Sequence, residues 1–379
     1  MLYLDNAATS LKKPLKVYTS MARNTIENSA NSGRGGHFYS LRATKKIYDT
    51  TESLCRLFNI SSPERIAYTQ NATYALNMAI MGILDKYSHV IVTQMEHNSV
   101  LRPVKKTCEY TMIKADRHGR IRLCDISDAI RDNTKMIIAT HASNVCGTIL
   151  PIEKISKIAH DNGLLFMADA AQTAGCLPID VRKDGIDLMA FSGHKGLMTP
   201  MGVGGLYVGE NVEINPVITG GTGSLSESLV QPDFMPDMLQ SGTLNAPAII
   251  AAKESVELIL KETPEAIGER ERKLAVSLVE NLNNMPNVIV YGLGDESDRN
   301  GTVAFNVKGM DSVAAAQLLN DKYKICTRGG WHCAYTAHQA LGSHKQGAVR
   351  ASFGYFNNKK DVEKLTDAVF RISKEQKKI

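Results

Sequence analysis

The chain is 379 residues long, with 43% hydrophobic and 22% charged residues, which is too much for one small core and suggests two domains of an ordinary soluble globule. Its net charge of +5 comes without a dense basic block, so a nucleic-acid footprint is not expected, and the final "KEQKKI" reads as a frayed basic tail. The opening "MLYLDNAATS" lacks a basic region and Asp5 interrupts its apolar run, and no apolar stretch approaches the ~18 residues of a membrane span; a signal peptide and a membrane anchor are therefore not expected, and the expected compartment is the cytoplasm.

Strands are expected at 65–69 (RIAYT), 89–93 (HVIVT), 136–142 (MIIATHA), 164–169 (LLFMAD), 187–192 (DLMAFS) and 203–208 (VGGLYV), with helical segments such as 73–85 and 152–161 between them. That alternation predicts an α/β fold with a mostly parallel sheet covered by helices. The pattern changes after "SGTLNAP" (241–247). Helices follow at about 247–261 and 265–284, then strands "NVIVYG" and "TVAFNV", a helix from Asp311 to Leu319, a strand at 347–353 and a last helix with Val362, Leu365, Val369 and Ile372 on one face. This predicts a large domain over 15–246 and a smaller α+β domain over 247–379, with residues 1–14 packing on the latter. Segments 219–240 and 327–346 are long, polar and glycine-bearing, as active-site loops are.

Seven cysteines stand at 55, 108, 124, 146, 176, 326 and 333. Their number is odd and none are spaced C-x-x-C, which argues against zinc and against a disulfide framework. Cys146, Cys176 and Cys326 read as packing residues. Cys333, inside "RGGWHCAY" (328–335), can be a buried spacer or a nucleophile.

"FSGHKG" (191–196) follows a strand end, where open α/β sheets bind ligands, and Lys195 there can form a Schiff base with an aldehyde cofactor; taken alone it reads as a surface lysine in a turn. Asp169 ends another strand 26 residues earlier and fits the acid that keeps the ring nitrogen of pyridoxal phosphate protonated, or a helix cap. "TQNATYALN" (69–77) passes from strand to helix, so the amides of Ala72 and Thr73 can face a phosphate, or Asn71 can simply cap the helix. His97 in "QMEHNSV" can stack on a cofactor ring or stay a neutral capping histidine. Asn144 in "SNVCGT" can bond a phenolic oxygen or a substrate carboxylate. The "GVGG" at 202–205 lacks G-x-G-x-x-G and runs into a strand, so it carries no dinucleotide signal.

With "YLDNAAT", "MEHN", "DAAQ", "SGHK", "SGT-N" and "RASFGYFN" in this order, the chain resembles the class V aminotransferase group of fold-type I pyridoxal phosphate enzymes, and within it the second-group cysteine desulfurases and selenocysteine lyases. The resemblance spans residues 3–357. It implies that Lys195 holds the cofactor, Asp169 pairs with the ring nitrogen, Gln172 bonds the phenolic oxygen, and His97 stacks on the ring. It implies Thr73, Ser192 and His194 at the phosphate, and Thr243 at the phosphate of a neighbouring subunit in a homodimer. Arg350 would clamp the substrate carboxylate with help from Asn144. "RGGWHCA" matches the loop motif whose cysteine is the nucleophile, which falls on Cys333; Trp331 departs from the usual histidine. Cationic neighbours such as Arg328, His332 or Arg350 are expected to lower the Cys333 pKa. Glycines in "GRGGH" (33–37) and "GGTGS" (220–224) read as loop residues.

The implied reaction converts L-cysteine to L-alanine and leaves a persulfide on Cys333 for a sulfur-acceptor protein. Selenocysteine lyase chemistry on L-selenocysteine, or a transaminase or β-eliminating enzyme with Cys333 incidental, are the alternatives within the fold. A cofactor-binding sulfur-transfer scaffold is the alternative from another class.

Overall fold

Twelve strands carry the chain in the computed structural model, which describes residues 1–33, 35–294 and 298–375. They are β1 (Leu2–Tyr3), β2 (Ile66–Thr69), β3 (His89–Thr93), β4 (Glu109–Ile113), β5 (Thr134–Thr140), β6 (Leu165–Asp169), β7 (Leu188–Ser192), β8 (Gly204–Val208), β9 (Val288–Tyr291), β10 (Thr302–Val307), β11 (Ile325–Cys326) and β12 (Val349–Ser352). Seven of them form one sheet in the order β2-β8-β7-β6-β5-β3-β4. The pairings from β4 through β7 are parallel, and only those of β8 are antiparallel. The expected α/β architecture with a mostly parallel sheet is therefore present.

The apolar strand runs explain the layering. A strand buried on both faces reads as a near-continuous apolar run. In β5, Ile137 and Ala139 join one core layer while Met136 and Ile138 join another, and both layers are closed to solvent. β3 divides in the same way, with Ile91 in the first layer and Val90 and Val92 in the second.

A further core gathers Leu4, the helix Pro264–Asn283, β10, the helix Ser312–Tyr323, β12 and the helix Lys359–Glu375. That last helix buries Val362, Leu365, Val369 and Ile372, the stripe its sequence spacing predicts. The helix Ala246–Glu262 packs its Ala248, Ile249, Val256 and Ile259 into the first core layer.

Several elements escape the periodicity. β4 shows no alternating burial, having exposed Glu109 and Tyr110 at a sheet edge. The helices Leu15–Glu27 and Phe38–Phe58 are polar on much of their surface, and a helix Tyr335–Leu341 sits inside the segment read as a loop over 327–346. Cys326, expected in the core, is half-buried on the two-residue β11. Arg34, within "GRGGH", and the end of "KEQKKI" lie outside the described residues. Among the described residues, no helix is long and apolar enough to cross a membrane.

Candidate active site

The carboxyl ends of the parallel strands converge on one cavity. Its walls include Ala72 and Thr73 after β2, His97 after β3, Asn144 after β5, Asp169 and Gln172 after β6, Ser192, His194 and Lys195 after β7, and Arg350 on β12. Ten residues singled out from sequence thus meet in space, although 278 positions separate the first from the last. The cavity adds Ala7, Ala8, Ser99, Thr140, Arg328 and His332, which the strand-end argument did not select as ligands.

Asp169 is 4% exposed at the end of β6 and accepts the Ala171 amide at 2.9 Å. Burial raises its carboxyl above the ordinary range, while the Ala171 amide and Lys195 oppose that rise. A buried carboxylate in this state gains from a cationic partner, which a protonated pyridine nitrogen supplies. Lys195 is partly open to the cavity and otherwise enclosed. Burial lowers its ammonium to about 8; Asp169 resists this, and Arg350 and Arg328 add to it. An amine near neutrality in this way is suited both to covalent attachment of an aldehyde and to proton transfer.

His97 satisfies both of its sequence readings at once. It caps the helix Asn98–Thr107, its Nδ1 accepting the Ser99 amide at 3.0 Å, and it also faces the cavity. Because Nδ1 accepts, the proton of the neutral ring sits on Nε2. Burial lowers its pKa to about 4, with Lys195, Arg328 and Arg350 contributing. His194 is lowered to about 4 as well, by burial and then by Lys195 and Lys13.

The expected phosphate end is the start of the helix Ala72–Ile83, where Asn71 Oδ1 accepts the Tyr74 amide at 3.3 Å. The Ala72 amide donates to Ser192 Oγ at 3.0 Å, which leaves the serine O–H free to donate to an anion. Thr73 Oγ1 pairs with Ser99 Oγ at 2.8 Å. Gln172 Nε2 donates to the Ala7 carbonyl at 3.1 Å, and Ser10 binds the His194 carbonyl through its amide (2.9 Å) and hydroxyl (3.0 Å). The N-terminal segment thereby closes over the lysine-bearing turn.

Arg350 is 1% exposed. It donates to the Asn144 carbonyl and to Asp5 Oδ1, each at 2.8 Å. Its Nε is buried and has no partner among the described residues. A fork held by two fixed acceptors with a donor to spare suits a carboxylate.

Cys333 and Thr243 are the two expected residues that do not line the cavity. Both are exposed. His332 lines the cavity in the cysteine's place. His332 and Cys333 have φ of 52° and 56°, consecutive non-glycine residues in the left-handed region, which costs about 1–2 kcal/mol each. The surroundings enforce it: the His332 carbonyl accepts Asn144 Nδ2 at 2.7 Å, and the Cys333 carbonyl accepts the Asn98 amide at 2.8 Å. The expected cationic neighbourhood of Cys333 needs correction at His332, which is buried and neutral, its pKa pushed far down first by burial and then by Arg350. Arg350 is itself committed to Asp5. Trp331 is 45% exposed, with its indole N–H donating to the His344 carbonyl at 2.9 Å. Cys146 and Cys176 are buried, as packing residues are.

The profile of the family described as Aminotransferase class-V matches residues 2–365. A protein of Methanothermobacter thermautotrophicus named "Probable cysteine desulfurase" is 34% identical, covering 98% of this chain and 94% of its own length. One of the same name from Pyrococcus abyssi is 33% identical over 96% of this chain and 92% of its own. Among solved structures, apo cysteine desulfurase from Thermococcus onnurineus NA1 superposes with a TM-score of 0.92 at 32% identity, covering 99% of this chain and 95% of that one. The cysteine desulfurase CsdA of Escherichia coli, in its S-sulfonic acid form, gives 0.87 at 26% identity, covering 97% and 94%.

Proposed function

The chain belongs to the class-V aminotransferase family, and from that premise we propose that it is a pyridoxal-phosphate-dependent cysteine desulfurase. The observation that carries this reading is the meeting of Lys195, Asp169, His97 and Arg350 on one cavity. The residues present fit the cofactor: Lys195 would hold it, Asp169 would pair with its ring nitrogen, Gln172 would serve its phenolic oxygen, His97 would cover its ring, and Thr73, Ser192 and His194 would receive its phosphate. When bound, pyridoxal phosphate supplies the electron sink that makes the Cα proton acidic and the Cβ–S bond cleavable.

The chain's own residues supply the rest. Arg350 and Asn144 orient L-cysteine by its carboxylate. Lys195 Nζ takes the Cα proton, and a lysine lowered to about 8 is matched to that task. The Cys333 thiolate attacks the substrate sulfur. One S–S bond forms and the Cβ–S bond breaks, so the sulfur is oxidised to the persulfide level and the carbon is reduced to the methyl of L-alanine. Cys333 then carries the sulfur outward, which its exposed position serves, to an acceptor protein.

A homodimer completes the site in this reading. Thr243 is exposed and outside its own cavity, as a residue acting on a partner's phosphate must be. Phe38, Tyr39, Leu229, Val230 and Phe234 are exposed apolar residues of the kind a second copy buries. The packing of Ala246–Glu262 into the first core layer favours a division of the chain near residue 263 rather than at 247. The cytoplasm suits a reactive free thiol.

The test compares wild type with Cys333→Ala on L-cysteine, measuring alanine and sulfide. Loss of both in the variant is the expected result. Selenocysteine lyase is the second reading, favoured by the absence of Cys333 from the cavity wall; alanine released from L-selenocysteine by Cys333→Ala at the wild-type rate establishes it.

A further inference from the structure

Behind the exposed cysteine lies a buried chain of polar side chains that the proposed mechanism does not use. His332 Nε2 stands 3.2 Å from the Arg328 carbonyl oxygen. His332 Nδ1 stands 3.2 Å from His338 Nε2, and His338 Nδ1 stands 2.7 Å from Ser343 Oγ. The three side chains are 3%, 0% and 2% exposed.

The direction of the chain is fixed by its ends. A carbonyl oxygen only accepts, so His332 Nε2 carries a proton and donates to Arg328. Burial lowers both histidines, His338 to about 4, so both rings are neutral and each has one N–H. His332 Nδ1 is therefore an acceptor, and His338 Nε2 must donate to it. That leaves His338 Nδ1 to accept from the Ser343 hydroxyl. The two ring centroids lie 5.4 Å apart with their planes at 22°, a near-coplanar arrangement that suits an in-plane hydrogen bond.

We propose that His338 and Ser343 are positioning residues for Cys333: their one-way chain of hydrogen bonds holds the His332 ring against Arg328, and with it the left-handed backbone that presents the thiol. Two clamps then act on His332, the chain on its ring and Asn144 on its carbonyl. His338 comes from the short helix Tyr335–Leu341, whose Ala337 and Leu341 are anchored in a small core with Met95, Val145 and Cys146. The helix that follows the cysteine is thus a rigid strut for the residue that precedes it. The inference rests on Cys333 being the nucleophile of the proposed function, and its test separates the two.

His338→Leu keeps the size and burial of the side chain and removes both polar contacts. His338→Gln offers an N–H to His332 and an oxygen to Ser343, so it can rebuild the chain. Ser343→Ala removes only the last link. In a single turnover on L-cysteine, His338→Leu is expected to form persulfide on Cys333 at least about ten-fold more slowly, because a displacement of about 1 Å costs that much or more, with KM within about two-fold of wild type. Ser343→Ala is expected to slow persulfide formation in the same sense, and His338→Gln to restore most of the rate. Hydrogen exchange of the 328–338 peptide in cofactor-free protein is expected to quicken in His338→Leu and not in His338→Gln. Unchanged exchange in the leucine variant overturns the chain. Faster exchange with an unchanged persulfide rate overturns the positioning role. If Cys333→Ser alone still makes alanine at the wild-type rate, it is the nucleophile assignment that fails, while the exchange result continues to judge the chain.

Discussion

Asn144 Nδ2 donates to the carbonyl oxygen of His332 at 2.7 Å, so the side chain expected at the substrate carboxylate also fastens the loop that carries Cys333. In the proposed function one amide therefore has two duties. Asn144→Ala should raise KM for L-cysteine and also slow persulfide formation on Cys333, by roughly ten-fold or more. Stopped-flow of substrate binding and single-turnover mass spectrometry read the two effects apart. An effect on KM alone would mean that the hydrogen bond to His332 has no part in sulfur transfer.

In the proposed function Asp169 stays anionic to keep the cofactor's ring nitrogen protonated, despite the burial that raises its carboxyl. Asp169→Ala should reduce alanine formation by about 100-fold or more, and much further than Asp169→Glu, because the electron sink is lost with the charge. Steady-state rates at saturating cofactor decide it. Equal losses in the two variants would show that the site needs this exact shape and not the charge.

Arg350 bridges Asp5 and the Asn144 carbonyl with a planar fork that a lysine lacks. Arg350→Lys should therefore raise KM for L-cysteine by about ten-fold and lower thermal stability, since Asp5 loses its geometry and a buried pair is expensive to break. Thermal melts and initial rates check both. A variant with wild-type KM would remove Arg350 from carboxylate binding.

How much of this was legible in sequence follows from the kind of signal each part leaves. β3 carries the apolar run 90–92 and β5 the run 136–139 because both faces are buried there, and such runs announce themselves. β4 does not, because its edge position leaves Glu109 and Tyr110 in solvent. That Lys195, Asp169 and His97 line one cavity was foreshadowed, because each lies at or just past a strand end in a distinctive string. The Ala72–Ser192 hydrogen bond was not, because it joins residues 120 apart whose separate readings both pointed at a phosphate. His338 and Ser343 left no trace, since a histidine in a short helix looks like any other until the fold turns it toward His332. The outward position of Cys333 was equally hidden, being set by two left-handed residues that are not glycine.

Acid stability offers a test of the buried histidines. His97, His141, His194 and His338 are each lowered by burial to about 4 from an ordinary 6.5. Between those values the unfolded chain binds protons that the folded chain refuses, so they make stability fall as pH drops from about 6.5 to about 4. Glu96 and Glu271 act in the opposite sense. Burial raises both to about 8, so the folded chain keeps protons that the unfolded chain releases, and stability falls as pH rises from about 4.5 to about 8. Among the described residues no hydrogen bond reaches the Glu271 carboxyl, so Glu271→Gln removes a titration and little else. Its melting temperature relative to wild type should be higher at pH 8 than at pH 5 by about 2 °C or more. A difference independent of pH would mean that Glu271 is not held protonated.

Thr243 decides whether the site is shared. It is exposed and lies outside its own cavity, whereas Lys195 lines that cavity. If Thr243 serves the phosphate of the neighbouring subunit, Thr243→Ala and Lys195→Ala damage different sites of a mixed dimer in a predictable way. In a heterodimer of the two variants, the Lys195→Ala subunit contributes an intact Thr243 to the cavity of the Thr243→Ala subunit, whose Lys195 is also intact. One site is then whole and the other lacks both groups. Each pure variant is defective at both of its sites. Mixing the two should therefore recover activity, towards half of wild type in each heterodimer, once subunits have exchanged. If Thr243 acted within its own subunit, every heterodimer site would lack one group and nothing would be recovered. The measurement is alanine formation after mixing, with subunit exchange confirmed by native mass spectrometry. Confirmed exchange with no recovery would refute the shared site, and a monomer in the same spectra would remove the partner altogether.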